Sequence, residues 1–519
     1  MRSTFMGLET ARRGMYAQQS ALYTTGQNIA NANTPGYTRQ RVNFEQTDPY
    51  PSVGMNRPQI PGQMGTGVKA GSIQRVRESF LDVQYRGENS KMGYWETRSG
   101  ALSKMEQVMN EPSDSGLSKT MDLFWQSLQD LAVNPKNTGA RSVVRQRGVA
   151  VAETFHYLHT TLAAEKNNVK NEINVTEKQV NSLVNQIHQV NQQIGSVEPH
   201  GYLPNDLYDE RDRLLDELSS LVNIKVEYAT PEGNASPIAE GKAIVKLTTD
   251  SGTELGVLVS DSSYNEMKVN NINLDNPVST ISIGSTNLSF ESFQSSGKMK
   301  SLIESYGFQD SSGNVKGLFS DMMTELDNLA FTFAKEFNDV HKSGLSPNEI
   351  NNGTGNTGFF IDTKDNSDDL TTPSDRRNGF ASRIGISQNI YNSLDNIANA
   401  SASNPTLGDS GAVLAMADVI NKNFDYGNKN EQSNFRNYYE AVIGQMAVNS
   451  QEAVRLTSNS EALRQAVDDR RASVSSVSLD EEMTNMIQFQ HAYNASARMI
   501  SLTDELLDTI INGMGVGGR

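Results

Sequence analysis

The 519-residue chain contains no cysteine, which excludes disulfide bonds, thiolate metal sites and cysteine nucleophiles. This composition suits an exported protein that must stay unfolded and uncrosslinked, although many cytosolic proteins also lack cysteine. Positive charge is scarce as well, since 45 Lys and Arg stand against 61 Asp and Glu, for a net charge of −16. General nucleic-acid binders usually have a basic surface, so we expect no nucleic-acid partner.

Long hydrophobic runs are also missing. No stretch of about 18 apolar residues is present, which predicts no membrane insertion. The first 25 residues lack the hydrophobic core of a secretory signal, which argues against the general secretion route and leaves a specialised export apparatus open. With 36% hydrophobic and 20% charged residues, the chain is polar without being highly charged. Such chains are often helical with solvated faces, or partly disordered until they assemble.

Proline is absent from residues 1–34 and 406–519, and residues 445–512 contain neither glycine nor proline. That run predicts long helix near the C-terminus. A second run without either residue covers 149–194.

An apolar heptad pattern within that second helical region steps alternately by four and three residues. It predicts a long amphipathic helix that packs in a bundle or supercoils against a partner helix. The long C-terminal helix is one candidate partner. The heptad positions are Val169, Ile173, Thr176, Val180, Leu183, Ile187, Val190, Ile194 and Val197.

A shorter helix is predicted to begin at Asp206, with leucines along one face and Asp209 placed to pair with Arg213. Short β-branched runs separated by Gly, Asn and Pro then follow, which predicts a small antiparallel β domain. Residues 316–342 return to a helical pattern, and residues 345–378 are dense in helix breakers and read as loop.

These patterns predict a mainly α protein with an inserted β-rich domain. We expect an elongated molecule with discontinuous nested domains, whose terminal helices pair in a coiled coil or bundle. The predicted domains are a terminal helical core (1–45 and 477–519), a helical bundle (46–222, 301–344 and 411–476) and a β-rich outer domain (223–300). An alternative boundary adds residues 345–410 to the outer domain.

Both terminal helices are predicted to be amphipathic and to need a partner, because an isolated helix of this kind is marginal in water. Residues 1–45 carry a net charge of +3 and residues 479–519 a net charge of −4, which favours pairing between them. Apolar side chains spaced by three and four define the predicted seam of the N-terminal helix: Phe5, Leu8, Met15, Leu22 and Ile29. The corresponding candidates for inner packing in the C-terminal helix are Leu479, Met483, Ile487, Tyr493, Ile500 and Leu507.

Polar residues complete the candidate assembly interface. Gln490 and Asn494 of the C-terminal helix are candidates for polar contacts that fix its register. The first helix is predicted to end in a sharp turn, because Asn tolerates left-handed backbone and Pro-Gly cannot continue a helix. The turn residues are Asn28, Asn31, Asn33, Pro35, Gly36 and Tyr37. Ser478 and Glu481 have capping-box spacing at the start of the last helix.

Two motifs resemble a metal site and a dinucleotide-binding site, but their sequence context supports neither. His156 and His159 share a helix face, yet a zinc site needs further ligands that the neighbouring sequence does not offer. Residues 353–358 match G-x-G-x-x-G without the flanking strand and helix that a dinucleotide site needs. We therefore predict no catalytic residues, no metal and no cofactor.

The segment NIANANTPGYTRQ (28–40) resembles the N-terminal signature of bacterial flagellar rod, hook and hook-associated proteins. The segment VSLDEEMTNMIQFQHAYNASARMISLTDELLDTIIN (477–512) resembles the C-terminal signature of the same group. Within that group, the sequence is similar to the flagellar hook-associated protein 1 family. That similarity lies in PGYTRQ (35–40), LYDERDRLLDELSSLVNIKV (207–226) and FAKEFNDVHKSGL (333–345).

The resemblance implies a structural protein that forms a ring of subunits at the hook–filament junction, with its helical termini lining the axial core. It implies contact with other copies of the chain, the hook protein and the next hook-associated protein on the filament side. It also implies extracellular assembly after type III export without a cleaved signal, and a cytoplasmic chaperone that binds the C-terminal helix. The alternatives are a hook or distal-rod protein, and an enzyme or binding module tethered to the flagellum by these termini.

Overall fold

The computed structural model describes residues 5–51, 55, 61–111, 113, 114, 116–270, 272, 276–353, 357–370, 376–427 and 432–513. Its helices are α1 (Phe5–Ala30), α2 (Ser79–Met109), α3 (Leu117–Val133), α4 (Thr138–Val197), α5 (Asn205–Leu221), α6 (Lys298–Tyr306), α7 (Leu318–Ser343), α8 (Pro347–Asn352), α9 (Gln388–Asn392), α10 (Gly411–Ala417), α11 (Phe435–Ser475) and α12 (Leu479–Gly513).

The strands are short and pair antiparallel in six small sheets within the described ranges. They are β1 (Gln40–Gln46), β2 (Val68–Arg75), β3 (Ile224–Tyr228), β4 (Ala243–Thr248), β5 (Glu254–Val259), β6 (Met267–Asn270), β7 (Thr280–Ile283), β8 (Thr286–Ser289), β9 (Phe308–Gln309), β10 (Val315–Lys316), β11 (Gly344–Leu345), β12 (Phe360–Asp362), β13 (Ile384–Ile386) and β14 (Ala400–Ser401). The prediction of a mainly α chain with a β-containing region is confirmed.

Helix α4 is the central element of the bundle and runs for 60 residues from a capped start, where Asn137 accepts from the backbone N–H groups of Gly139 and Ala140. Eight of the nine heptad positions are buried and Val197 is half-buried, so the predicted amphipathic helix is confirmed. Its apolar face packs against α3, α5, α6 and α7. The long C-terminal run, which the sequence offered as a partner, instead packs elsewhere, with α11 lying along α2.

The middle of the chain forms two three-stranded antiparallel sheets, ordered β3-β4-β5 and β6-β7-β8, where strands were predicted. Asparagine side chains of α4 attach both sheets to the bundle. Asn181 exchanges hydrogen bonds of 2.8 Å with the backbone of Met267, and Asn191 bonds the backbone of Ala243. Paired amide bonds of this kind hold the sheets in a fixed position on α4.

A hairpin of β1 and β2 was missed from the sequence. Val42 pairs with Ile73, and a bulge follows Asn43. This hairpin lies in residues assigned to the terminal helical core and to the helical bundle, where no strand was expected at 40–46 or 68–75. The side chain of Phe44 lies beside Phe489 of α12, with ring centroids 6.0 Å apart. The strands therefore belong with the terminal helices in space.

Residues 345–378 are less irregular than predicted, since they contain α8 and β12. Half of the G-x-G-x-x-G match, residues 354–356, lies outside the described residues, as do residues 371–375. Strand β12 brings Phe359 and Phe360 onto α7, where their rings contact Phe337 at 5.3 and 5.5 Å between centroids. This aromatic packing forms a fully buried part of the core.

The C-terminal run free of glycine and proline is two helices rather than one, because residues 476–478 leave helical geometry between α11 and α12. Ser476 is extended, with φ −75° and ψ 157°. The free carbonyl of Ser475 accepts from the N–H of Arg39 at 2.9 Å. The hydrogen bond from Arg39, which is far away in sequence, thus satisfies the carbonyl of Ser475 where local helix propensity alone would favour a continuous helix.

Candidate assembly surface

Helices α1 and α12 pack against each other in antiparallel directions. Asn28 at the end of α1 donates to the carboxylate of Glu482 at the start of α12, at 3.1 Å. Gly14, earlier in α1, lies beside Ser496, whose Oγ would be 3.2 Å from a Cβ built at Gly14. Helices α1 and α12, near the two ends of the chain, therefore form one pair.

The side of α1 that includes its contacts with Ser496 and Glu482 of α12 is made of small and polar residues. Gly14 and Asn28 contact α12, and Ala17, Ala21 and Thr24 lie between them at three- and four-residue spacing on the same face and are buried. Small side chains allow two helix axes to approach closely. The residues of that face are Gly14, Ala17, Ala21, Thr24 and Asn28.

The apolar seam predicted for α1 is placed differently. Leu8, Met15, Leu22 and Ile29 are half-buried on another side of the helix, and Phe5 is 63% exposed. The seam is therefore partly covered, and the most deeply buried positions of α1 belong to small and polar residues instead.

Asn28 organises the end of α1. Its Nδ2 donates to the carbonyl of Gln40 at 2.8 Å, and its Oδ1 accepts from the N–H of Gln40 and from the hydroxyl of Tyr37. Burial, together with the nearby carboxylates of Asp209, Asp206 and Glu482, raises the pKa of Tyr37 well above its usual range, so the phenol keeps its proton. One buried amide thus joins α1, the start of β1 and α12.

The predicted turn lies between α1 and β1. Gly36 has φ +84°, a left-handed conformation that disfavours side chains with a Cβ, and it sits over the side-chain stem of Arg213. Asn31 donates to the carbonyl of Gln27, whereas Asn33 and Pro35 are exposed. Asn28 and Tyr37 therefore hold the turn from inside, while its tip faces solvent.

The opposite charges of the two ends meet at one position. Arg39 binds Glu481 at 2.7 Å and Glu482 at 2.8 Å, whereas Arg12 and Arg13 bind Glu9 of their own helix. Glu482 is only 2% exposed, so its charge is held away from water beside both Arg39 and Asn28. Nothing in the sequence alone distinguishes Arg39 from the other arginines of residues 1–45.

The outer surface of α12 is rich in exposed apolar side chains. Leu479, Met483 and Ile487 are about half exposed in its first part, although the sequence proposed them for inner packing. A second exposed group follows toward the C-terminus: Met499, Leu502, Leu506 and Ile510. Both groups are about half exposed, so α12 presents apolar surface that a monomer leaves in water.

The remaining candidates on α12 divide between its two sides. Tyr493, Ile500 and Leu507 are half-buried and recur every seven residues, on the side that includes Ser496 and faces α1. Gln490 and Asn494 are exposed and are free to meet another molecule. On α1, Tyr16 and Tyr23 are 56% and 70% exposed and extend the apolar surface of the pair.

The described residues contain no group of three or more His, Asp or Glu side chains that could hold a metal ion. His156 and His159 lie on α4, and burial is the main cause that lowers the pKa of His159. None of the described helices has both the length and the hydrophobicity to cross a membrane.

Family models match three parts of the chain. The flagellar hook-associated protein FlgK helical domain matches residues 102–360. The C-terminal model of flagellar basal body rod FlgEFG proteins matches residues 471–513, and the flagella basal body rod protein model matches residues 8–38. The two terminal models are named for rod proteins, whereas the central model is named for one hook-associated protein.

Full-length relatives agree with the central model. Flagellar hook-associated protein 1 of Bacillus subtilis is 46% identical over 522 residues and covers all of both chains. Flagellar hook-associated protein 1 of Salmonella typhimurium is 24% identical over 560 residues, covering 97% of this chain and 98% of that one. A solved flagellar hook junction protein, FlgK from Burkholderia pseudomallei, aligns at 19% identity and a TM-score of 0.43, over 54% of this chain and 46% of its own.

The helical domain match and the end-to-end similarity argue for the hook-associated alternative over a hook or distal-rod protein. On the identity over its full length, the chain belongs to the flagellar hook-associated protein 1 family.

Proposed function

We propose that this structural protein of the flagellar hook–filament junction acts as an adapter whose copies form a ring. Its place in the flagellum follows from its family. The observation that supports self-assembly is the apolar surface that α12 leaves exposed, because such surface on an isolated chain marks an interaction site. In the ring, the terminal helices of neighbouring copies cover this surface and line the axial core.

Residues on the outside of the helix pair make the proposed contacts. Leu479, Met483 and Ile487 pack against the neighbouring copy, and Gln490 and Asn494 fix the register beside them. Met483 can adapt to different neighbours because its side chain is flexible. That property suits a junction which meets the hook protein on one side and the next hook-associated protein on the other.

Export before assembly belongs to the same proposal. The chain leaves the cytoplasm unfolded through the flagellar type III apparatus and without a cleaved signal peptide. A cytoplasmic chaperone covers α12 beforehand, where Leu502, Leu506 and Ile510 are exposed. The absence of cysteine is consistent with passage as an uncrosslinked chain.

We also propose that the chain is not an enzyme. Its family is one of flagellar hook-associated proteins. A muralytic activity tethered by the terminal helices was the rival, and it predicts peptidoglycan cleavage by the purified protein. We expect none.

The substitution Ile487→Asp tests the ring. It places a charge in the exposed apolar surface of α12 without touching the face toward α1, so the monomer should fold normally and fail to assemble. Electron microscopy of cells that make only this variant should show hooks without filaments. Gln488→Asp is the matched control, because it adds the same charge at the next exposed position on another side of the helix. Normal filaments with Ile487→Asp would contradict the proposed interface.

A further inference from the structure

A buried cluster of charges lies where the terminal helix pair joins the helical bundle. We call it the ion node and define it by Asp209, Asp212 and Asp216 of α5 and the arginines bound to them, Arg75, Arg77, Arg86 and Arg471. The three aspartates lie on one face of α5 because their spacing is three and four residues. The sequence expected Asp209 to pair with Arg213. That was wrong, since Arg213 binds Glu210 and Glu217 on the solvent side.

Asp212 is the centre of the ion node. Its two oxygens bind Arg75 at 2.9 Å, Arg86 at 3.0 Å and Arg77 at 3.2 Å, and its side chain is 4% exposed. These guanidinium groups outweigh the effect of burial and lower the pKa of Asp212 far below its usual range. The carboxylate therefore stays charged at any physiological pH and holds three arginines at once.

Each segment that connects the helix pair to the bundle is tied to this node. Arg75 ends β2, and Arg77 lies in the link from β2 to α2. The N–H of Thr38, between α1 and β1, donates to Asp209 at 3.1 Å. Arg471, in the last turns of α11, binds Asp216 at 2.7 Å shortly before the chain enters α12. The chain thus passes the node where it leaves α1, where β2 leads into α2 and where α11 leads into α12.

Buried ion pairs are poor stabilisers, because the cost of removing two charges from water often cancels their attraction. Their geometry is nevertheless specific, since each guanidinium bonds only in its own plane. We propose that the ion node is a rigid joint that fixes the direction in which the α1–α12 pair leaves the bundle. Its role is orientation rather than stability of either part.

A spin-label distance measurement on the purified monomer tests this joint independently of ring assembly. Because the chain has no native cysteine, Lys104→Cys on α2 and Gln490→Cys on α12 provide two unique labels at exposed positions. The parent protein should give one narrow distance distribution. Asp212→Asn should broaden or shift it, while Glu210→Gln, which changes an exposed carboxylate of the same helix, should not.

A milder variant covers the case in which Asp212→Asn does not fold. Arg471→Gln removes an arginine at the edge of the node, and Arg470→Gln is its control at the adjacent exposed position. Circular dichroism establishes that each variant keeps its helix content. A broadened or shifted distance distribution in folded Arg471→Gln and not in Arg470→Gln supports the joint. Distributions that superimpose on the parent for every folded node variant would overturn it.

Discussion

Asn28 connects three parts of the chain through a single amide. Both its oxygen and its nitrogen bond the backbone of Gln40, and its nitrogen also reaches Glu482. The side chain is 1% exposed, so these bonds are made away from bulk water. A residue that looks like a routine helix end in the sequence is therefore a structural link between α1, β1 and α12.

Replacing this amide should loosen the start of α12. Asn28→Ala leaves the N–H and C=O of Gln40 and the hydroxyl of Tyr37 without their partner, and each unsatisfied buried group costs roughly 1–3 kcal/mol. Hydrogen exchange of residues 479–489 should speed up by about tenfold or more, since 1.4 kcal/mol is a factor of ten. Asn33→Ala, at an exposed position of the same turn, should leave the exchange unchanged.

Two buried groups of α7 respond to acid in opposite directions. Burial lowers the pKa of His341 to about 4, and its Nε2 accepts from the N–H of Ala398 at 3.1 Å. Burial raises the pKa of Asp327 to about 6, although two backbone N–H groups donate to it. Asp327 therefore stabilises the fold most below about pH 4 and loses that contribution toward pH 6, whereas His341 stabilises it above its unfolded pKa of about 6.5.

The variant His341→Gln should isolate the histidine's share. As pH falls from about 6.5 to 4, the unfolded state gains a proton on His341 and the folded state does not. The histidine thereby lowers the free energy of unfolding by up to about 1.4 kcal/mol per pH unit. Denaturant unfolding at pH 7 and pH 4.5 should show that the variant loses less stability than the parent on acidification. Equal losses in the two proteins would mean that His341 is protonated in the folded state.

At the scale of elements, the sequence predicted those helices whose apolar residues repeat regularly over several turns. The heptad at 169–197 and the apolar face of α7 repeat over several turns, so their helices and buried faces could be read directly. The β1–β2 hairpin carries no comparable pattern. The most deeply buried side of α1 was also missed, because Ala17 and Ala21 contribute close approach rather than hydrophobicity.

Helix α12 should be less stable than helix α4 in the monomer. Among its described residues only Glu482 is buried, whereas α4 buries side chains along most of its length. Local opening is easiest where few apolar contacts are lost. Limited trypsin digestion should therefore cut after Arg498 of α12 well before Lys178 of α4, although both side chains are exposed. Earlier cleavage at Lys178 would contradict this order.

At the scale of the whole molecule, the ion node gives a structural reason for the aspartates of the LYDERDRLLDEL segment, which in the sequence served only as a mark of family resemblance. The aspartates of the LYDERDRLLDEL segment face arginines that lie more than a hundred residues away. Spacing showed that these acids share a face of α5, but it could not name partners so distant in sequence. The division into terminal core, bundle and outer domain stays a prediction, and so does the coiled-coil form of the terminal pair.

The adapter account depends on where in the flagellum the chain acts, and deletion of its gene tests that most directly. Electron microscopy of the deletion strain should show hooks that carry no filament, and the culture medium should contain flagellin that failed to polymerise. Restoring the gene should restore filaments. Normal filaments in the deletion strain would contradict a role at the junction, and loss of the hook as well would place the protein in the hook or rod.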